Sequence, residues 1–171
     1  MSVTLRRAGP EDAATLVDIG RRSFTETFGH LYTPENLAAF LEGHNEAQWA
    51  AEIADPAYAV LLAEEGGVAA GYAKLAPPKL PVPVREGSVE LRQFYILAPW
   101  HGSGLARRMM GAVIEEARVR GAPEITLSVF VDNHRAQAFY KRYGFEDIGR
   151  YAFMVGSHED EDRIWRLTLD G

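Results

Sequence analysis

The segment from Ser88 to Arg120 constrains the fold of this chain more than any other. Ser88 to Leu97 alternates as a strand, which puts Val89, Leu91, Gln93 and Tyr95 on one face and Glu90, Arg92, Phe94 and Ile96 on the other. A glycine-rich turn, Pro99-Trp100-His101-Gly102-Ser103-Gly104, leads straight into a helix expected from about Gly104 to Arg120, whose Leu105, Met109, Val113 and Ala117 share one face. Gly121-Ala122-Pro123 ends that helix, and Ile125 to Val131 is again strongly β-forming. An amphipathic helix between two such strands must bury its apolar stripe against the sheet they enter, so the class is α/β.

The same turn is built for an anion. Glycines let the chain reverse so that amides of the first helical turn point outward, and the helix dipole favours negative charge in front of them. Arg107 and Arg108 stand in that first turn, where cations are mildly unfavourable unless an anion docks there. A plain glycine turn with two solvated arginines is the competing interpretation. A P-loop would need Gly-Lys followed by Ser or Thr, and a dinucleotide fingerprint would need a small residue where Arg107 stands.

On either side of this unit the pattern is regular. Val3 to Arg7 reads as a strand, and a helix follows Gly9-Pro10-Glu11-Asp12, its stripe of Ala13, Leu16, Val17, Ile19 and Gly20 continuing through Phe24 and Phe28. Helices are expected from Thr33-Pro34 to Gly43 and from about Glu46 to Ile53, then a hairpin of Tyr58 to Ala63 and Val68 to Leu75 around Gly66-Gly67. Ala76 to Pro83 holds four prolines, so it must be a loop or an edge arm, and it is a candidate border of a substrate site. Asp132 or Asn133 caps a helix that stops at Gly144, and two strands, near Phe145 to Val155 and Arg163 to Leu169, close the chain. The expectation is one domain over 1–171, a mixed sheet with helices on both faces, and no repeat or linker.

Composition removes several functions. Cysteine is absent, which excludes disulfides, thiolate metal sites and a cysteine nucleophile. The five histidines show no metal-ligand spacing, so no metal is expected, and no Gly-x-Ser-x-Gly elbow is present. A net charge of −6 makes nucleic acid an unfavourable partner and a cationic small molecule a favourable one. Part of that charge is the run Glu159-Asp160-Glu161-Asp162, expected as a solvated hairpin turn or else as an attractor of a cation. With no apolar run of signal-peptide or membrane-span length, a cytoplasmic protein without membrane contact is expected.

Two motifs in order point further. His101-x-x-Gly104-x-Ala106 resembles the coenzyme-A motif Gln/Arg-x-x-Gly-x-Gly/Ala of the GNAT superfamily of N-acetyltransferases, with His101 in place of the usual Gln or Arg. Asn133-x-x-Ala136-x-x-Phe139-Tyr140-x-x-x-Gly144-Phe145 is similar to the family's second motif and follows across one strand. The resemblance implies a mostly antiparallel seven-stranded sheet splayed centrally to admit acetyl-CoA. It places pyrophosphate at Gly102, Ser103, Gly104, Leu105, Ala106 and Arg107, the pantetheine arm along the backbone of Phe94, Tyr95 and Ile96, and His101, Asn133 and Tyr140 against the cofactor, Tyr140 facing its sulfur. By its residues alone, Tyr140 also reads as a packed aromatic.

Phe24 to Leu31, Glu90 to Leu97 and Phe153 to Gly156 look like the bacterial spermidine/spermine branch of that family. The implied reaction is direct acetyl transfer to a primary amine, with Tyr140 protonating the thiolate and Glu90 as general base; an ion pair with Arg92 would equally explain Glu90. Phe24, Phe28 and Tyr32 are expected in the acceptor pocket, with Glu26 as a cation contact. The expected partners are a small-molecule amine and, in a homodimer, a second copy of the chain. The competing readings are an acyl-CoA-binding regulator without activity and acetyltransferases acting on amino acids, aminoglycosides or protein N-termini.

Overall fold

The computed structural model describes residues 2–169. Seven strands form one sheet: β1 (Thr4–Arg7), β2 (Ala59–Glu65), β3 (Val68–Ala76), β4 (Val89–Ile96), β5 (Glu124–Phe130), β6 (Glu146–Val155) and β7 (His158–Thr168), in the spatial order β1-β2-β3-β4-β5-β7-β6. Only β4 and β5 are parallel, as a helical crossover between them requires; every other pairing is antiparallel. The helices are α1 (Ala13–Phe28), α2 (Pro34–Glu42), α3 (Glu46–Ala54), α4 (Leu105–Val119) and α5 (His134–Arg142). Their caps follow the local sequence: the side chains of Thr33, Asn45 and Asn133 accept from the backbone amides of Asn36, Gln48 and Ala136.

Each face of the sheet has its own core. Leu105, Met109, Met110, Val113 and Ala117 of α4 pack on one face with Leu75, Leu91, Ile125 and Leu127, and Phe139 and Tyr140 of α5 join them. Leu16 and Ile19 of α1 and Trp49 of α3 pack on the other with Val60, Leu62 and Tyr72. Below these are called the α4 face and the α1 face.

Two irregularities shape the centre. First, β4 and β5 pair only at Val89–Ile125 and Glu90–Thr126; beyond that the strands diverge, leaving a wedge between Phe94–Ile96 and Ser128–Phe130. Second, Lys74 pairs with Gln93 but Leu75 with Leu91, so Arg92 is an extra residue, a β-bulge. The bulge resets the alternation. Val89 and Leu91 therefore share the α4 face with Phe94 and Ile96, whereas Glu90 lies on the α1 face with Gln93 and Tyr95. This corrects the expectation that Glu90 shares a face with Phe94 and Ile96: one inserted residue in a strand exchanges faces for everything beyond it.

Alongside the wedge, β3 approaches β4 at Gly71, where a Cβ would lie 2.5 Å from the Tyr95 carbonyl oxygen. Because the obstacle is backbone, it cannot rotate away. Gly71→Ala should destabilise the fold by about 1–3 kcal/mol, read from denaturant midpoints at constant slope.

Candidate active site

A cavity of about 1010 Å³ runs through the wedge from the α4 face to the α1 face. At one mouth the chain leaving β4 turns through Gly102 (φ 76°) and Gly104 (φ 86°), both in the left-handed region that favours glycine. A Cβ at either would meet nothing within 4 Å, so conformation and not space demands glycine here. The result is a set of outward amides: among the described residues, those of Gly102, Gly104, Ala106 and Arg107 have no acceptor. With the positive end of α4 behind them, they form an anion cradle, and Arg107 lines the same opening.

Three members of the expected set do other work. The Ser103 hydroxyl donates to the Trp100 carbonyl at 2.5 Å and accepts from the Leu105 amide at 3.3 Å, and Ser103 does not line the cavity. The Leu105 amide is therefore taken, while its side chain, 2 % exposed, belongs to the core. His101 folds back and donates from Nε2 to the Ile96 carbonyl at 2.8 Å, which fixes the strand end relative to the turn. That contact was not legible from the motif, in which His101 is the departure.

The edge of β4 facing the wedge is open in a regular way. The Leu97 amide bonds Ala70 across the β3 pairing, and the hydrogen-bonding period of two makes Tyr95–Tyr72 a bonded pair as well. Phe94 and Ile96 therefore turn their backbone groups into the wedge, with the Ile96 carbonyl already taken by His101, while the backbone of Tyr95 is spent on β3. A ligand pairing with this edge would meet Phe94 and Ile96, not all three residues.

Across the wedge on the α4 face stands Tyr140, 9 % exposed, with its ring 6.5 Å from Phe94 and 5.6 Å from both Phe139 and Phe145. Its hydroxyl has no hydrogen-bond partner among the described residues, and burial holds it protonated, above its usual range. Asn133 lines the same side. Its Oδ1 caps α5 through the Ala136 amide at 3.2 Å, which leaves its side-chain NH₂ as a donor toward the cavity.

On the α1 face the cavity widens under an aromatic roof. Phe24 stacks on Phe40 at 4.3 Å between centroids and on Tyr32 at 5.9 Å, and Phe28 meets Phe130 edge-on at 6.4 Å. Phe24, Phe28 and Tyr32 thus come together, whereas Glu26, two residues from Phe24 and so on another side of α1, is exposed and does not line the cavity. Lys79 and Leu80 of the proline-rich arm form part of the wall. They are held by Glu90, whose Oε1 accepts from the amides of Lys79 at 2.8 Å and Leu80 at 3.0 Å, while Oε2 pairs with Arg92 at 3.1 Å. Arg92 completes the clasp by donating to the Pro77 carbonyl at 2.7 Å. Glu90 lines the cavity, but its carboxylate is committed to the arm and to Arg92.

The acidic run supplies the largest correction. The turn between β6 and β7 falls at Gly156-Ser157, so Glu159 to Asp162 lie inside β7, not in a solvated turn. Alternation sends Glu159 and Glu161 outward and buries Asp160 and Asp162, 7 % and 6 % exposed, on the α1 face of the cavity. Asp160 accepts from the Tyr32 hydroxyl and meets His158 Nε2 at 3.0 Å. Asp162 has no ion-pair or hydrogen-bond partner of ordinary geometry among the described residues, although the Ser128 hydroxyl nearby moderates its pKa. Burial, then Asp160, push its carboxyl up to about 7.

Relatives agree with this architecture. The Acetyltransferase (GNAT) family matches residues 18–145. An uncharacterized N-acetyltransferase of Mycobacterium tuberculosis is 32 % identical over 154 residues, covering 90 % of this chain and 95 % of the relative. The spermine/spermidine N(1)-acetyltransferase of Bacillus subtilis is 34 % identical over 70 residues, 40 % of this chain and 46 % of that protein. In three dimensions the PaiA N-acetyltransferase of Thermoplasma acidophilum, solved in complex with coenzyme A, shares the fold with a TM-score of 0.79 at 19 % identity, over 99 % of this chain and all of that one. Matched over most of its length by both the family and a full-length relative, the chain belongs to the GNAT family of acetyltransferases.

Proposed function

We propose that the protein transfers the acetyl group of acetyl-CoA to the primary amine of a small cationic molecule, a polyamine such as spermidine or spermine being the acceptor class. The observation that carries this reading is the open edge of β4 at Phe94 and Ile96, which runs from the anion cradle at Gly102 to Arg107 to the acidic aromatic cavity on the α1 face. The cradle suits a pyrophosphate, and the edge suits the amides of a pantetheine arm. A thioester lying there would have Tyr140 on one side of the sheet and the aromatic cavity on the other. The amine attacks the thioester carbon from the α1 face, the cavity orients it, and Tyr140 donates its proton to the departing sulfur. No acyl-enzyme is needed, in keeping with a chain that has no cysteine.

A cationic acceptor is supported by the buried carboxylates Asp160 and Asp162, which line the cavity together with the aromatic rings of Phe24, Phe40 and Phe153. The partial likeness to the Bacillus subtilis enzyme that bears spermine and spermidine in its name points the same way.

The test is release of free thiol from acetyl-CoA in the presence of polyamines, amino acids, aminoglycosides or peptide N-termini. Turnover is expected, fastest with polyamines. Faster turnover of a neutral or acidic acceptor would overturn the acceptor class, and acetyl-CoA binding without turnover of any amine would replace the enzyme with an acyl-CoA-binding regulator.

The cradle has its own check. Ala106→Glu puts bulk and negative charge beside the free amides and should weaken acetyl-CoA binding roughly tenfold or more, equivalent to at least about 1.4 kcal/mol, in titration calorimetry. Unchanged affinity in a folded variant would place the pyrophosphate elsewhere.

A further inference from the structure

We infer that Asp162 is the residue that receives the ammonium end of the acceptor and takes its proton before attack. This rests on the acetyltransferase reading and adds to it the group that makes the nucleophile. Three observations converge. Asp162 is 6 % exposed yet lines the cavity, and its carboxylate, with only the Ser128 hydroxyl nearby to moderate it, has no cation partner among the described residues. Leaving such a group unpaired is costly unless something that visits the site pairs with it. The surrounding walls are aromatic, with Phe130 directly across from Asp162 in the β5 pairing and Tyr151 across from it in the β6 pairing. Finally, Asp162 is close enough to Tyr95 to raise that hydroxyl's pKa, and the neighbours of Tyr95 in β4 are the open-edge residues Phe94 and Ile96. The carboxylate thus faces the wedge from the α1 face, with Tyr140 beyond it on the α4 face.

Glu90, by contrast, has both oxygens occupied by the proline-rich arm and Arg92. Asp160 is occupied by Tyr32 and His158. Glu52, which also lines the cavity, is paired with Lys74 at 2.7 Å, so of these carboxylates Asp162 is the one with no cation partner among the described residues.

The proton balance is simple. R–NH₃⁺ gives one proton to the Asp162 carboxylate, and the free amine forms the C–N bond at the thioester carbon. As the tetrahedral species collapses, the C–S bond breaks and Tyr140 protonates the sulfur. The nitrogen loses its second proton, which restores the Tyr140 hydroxyl. Asp162 then releases its own proton to solvent, so one proton is released per amide formed. A carboxyl that titrates near neutrality is well matched to this cycle.

Titratable groups facing Asp162 are Asp160 on its own strand, Tyr95 from β4, Tyr151 from β6 and Tyr32 from the segment after α1, with His158 bound to Asp160. Because several ionisable groups surround this carboxyl, the test needs a variant comparison and not a wild-type profile alone. With spermidine as acceptor, D162N should lower kcat at pH 7 by about a hundredfold or more, the defect shrinking as pH rises and free amine becomes abundant, while acetyl-CoA affinity holds. Independently, adding spermidine to the wild-type coenzyme A complex should lower the titration midpoint of the Asp162 carboxyl, followed by NMR. A wild-type pH-rate profile in D162N, a pH-dependent defect in E90Q in its place, or an Asp162 midpoint indifferent to spermidine would each overturn the inference and leave the acetyltransferase intact. A wild type that turns over no amine would overturn both.

Discussion

Tyr140→Phe should lower kcat by roughly ten to a thousandfold while acetyl-CoA affinity changes little. The substitution removes one hydroxyl and almost no volume, and that hydroxyl makes no hydrogen bond among the described residues, so neither packing nor stability is expected to suffer. What is lost is a proton donor facing the wedge. A thiol pKa near 8.5, with cysteine as guide, makes thiolate a tolerable leaving group, so acid assistance is helpful without being indispensable and the penalty sits within or just below the usual range for a general acid. The check is single-turnover or chemistry-limited kcat beside a calorimetric Kd. A variant with full kcat under those conditions would make Tyr140 a packing residue only, which its contacts with Phe94, Phe139 and Phe145 could also explain.

Asp162→Asn should stabilise the folded chain as it disables it. A carboxyl raised from its ordinary 3.8 to about 7 binds protons more readily folded than unfolded, so stability is highest below the unfolded value and falls as pH climbs from about 4 to about 7. At about 1.4 kcal/mol per pH unit the full cost approaches roughly 4 kcal/mol above neutrality, an order-of-magnitude figure. Asn carries no charge to bury and escapes that slope. The variant should therefore gain most at pH 8 and little at pH 4, visible as a rise in thermal midpoint of several degrees at the higher pH. Equal gains at both values, or none, would mean that Asp162 ionises without strain in the folded state.

Much of the fold was legible because periodicity reports burial. The stripe Leu105, Met109, Val113 and Ala117 located α4, and the glycine-rich turn located its start, since left-handed geometry at Gly102 and Gly104 leaves few alternatives. The roof residues Phe24 and Phe28 were legible for the same reason, as the continuation of the α1 stripe, whereas Tyr32 lies beyond that helix and its periodicity. Three features were not. The bulge at Arg92 is a property of how two strands pair, and nothing in Val89 to Ile96 by itself distinguishes eight alternating residues from two runs with one residue between them. The acidic run carried a charge signal that resembles a solvated turn; the usable clue was Gly156-Ser157 just before it, which moves the turn upstream and places alternate carboxylates inside. The backbone anchorage of Glu90 joins residues eleven apart across a proline-rich arm, beyond the reach of any local pattern.

The bulge also defines which mutations this protein can absorb. Because Arg92 is the spare residue, β4 behaves like two phrases in different phase joined by a single syllable: Val89 to Leu91 set against α4 in one phase, and Gln93 to Ile96 in the other. Exchanging the side chain at Arg92 leaves that phase shift standing, at the expense of the clasp on Pro77 and Glu90. Deleting the residue removes the shift. Val89 to Ile96 would then alternate without a break, Phe94 and Ile96 still toward α4 and Tyr95 still toward α1, so the pairing with β3 becomes regular and the open edge is kept. What the strand cannot absorb is the closing of the bulge with Arg92 still present, since drawing that residue into the ladder would slide everything beyond it to the opposite face and rewire both mouths of the cavity at once.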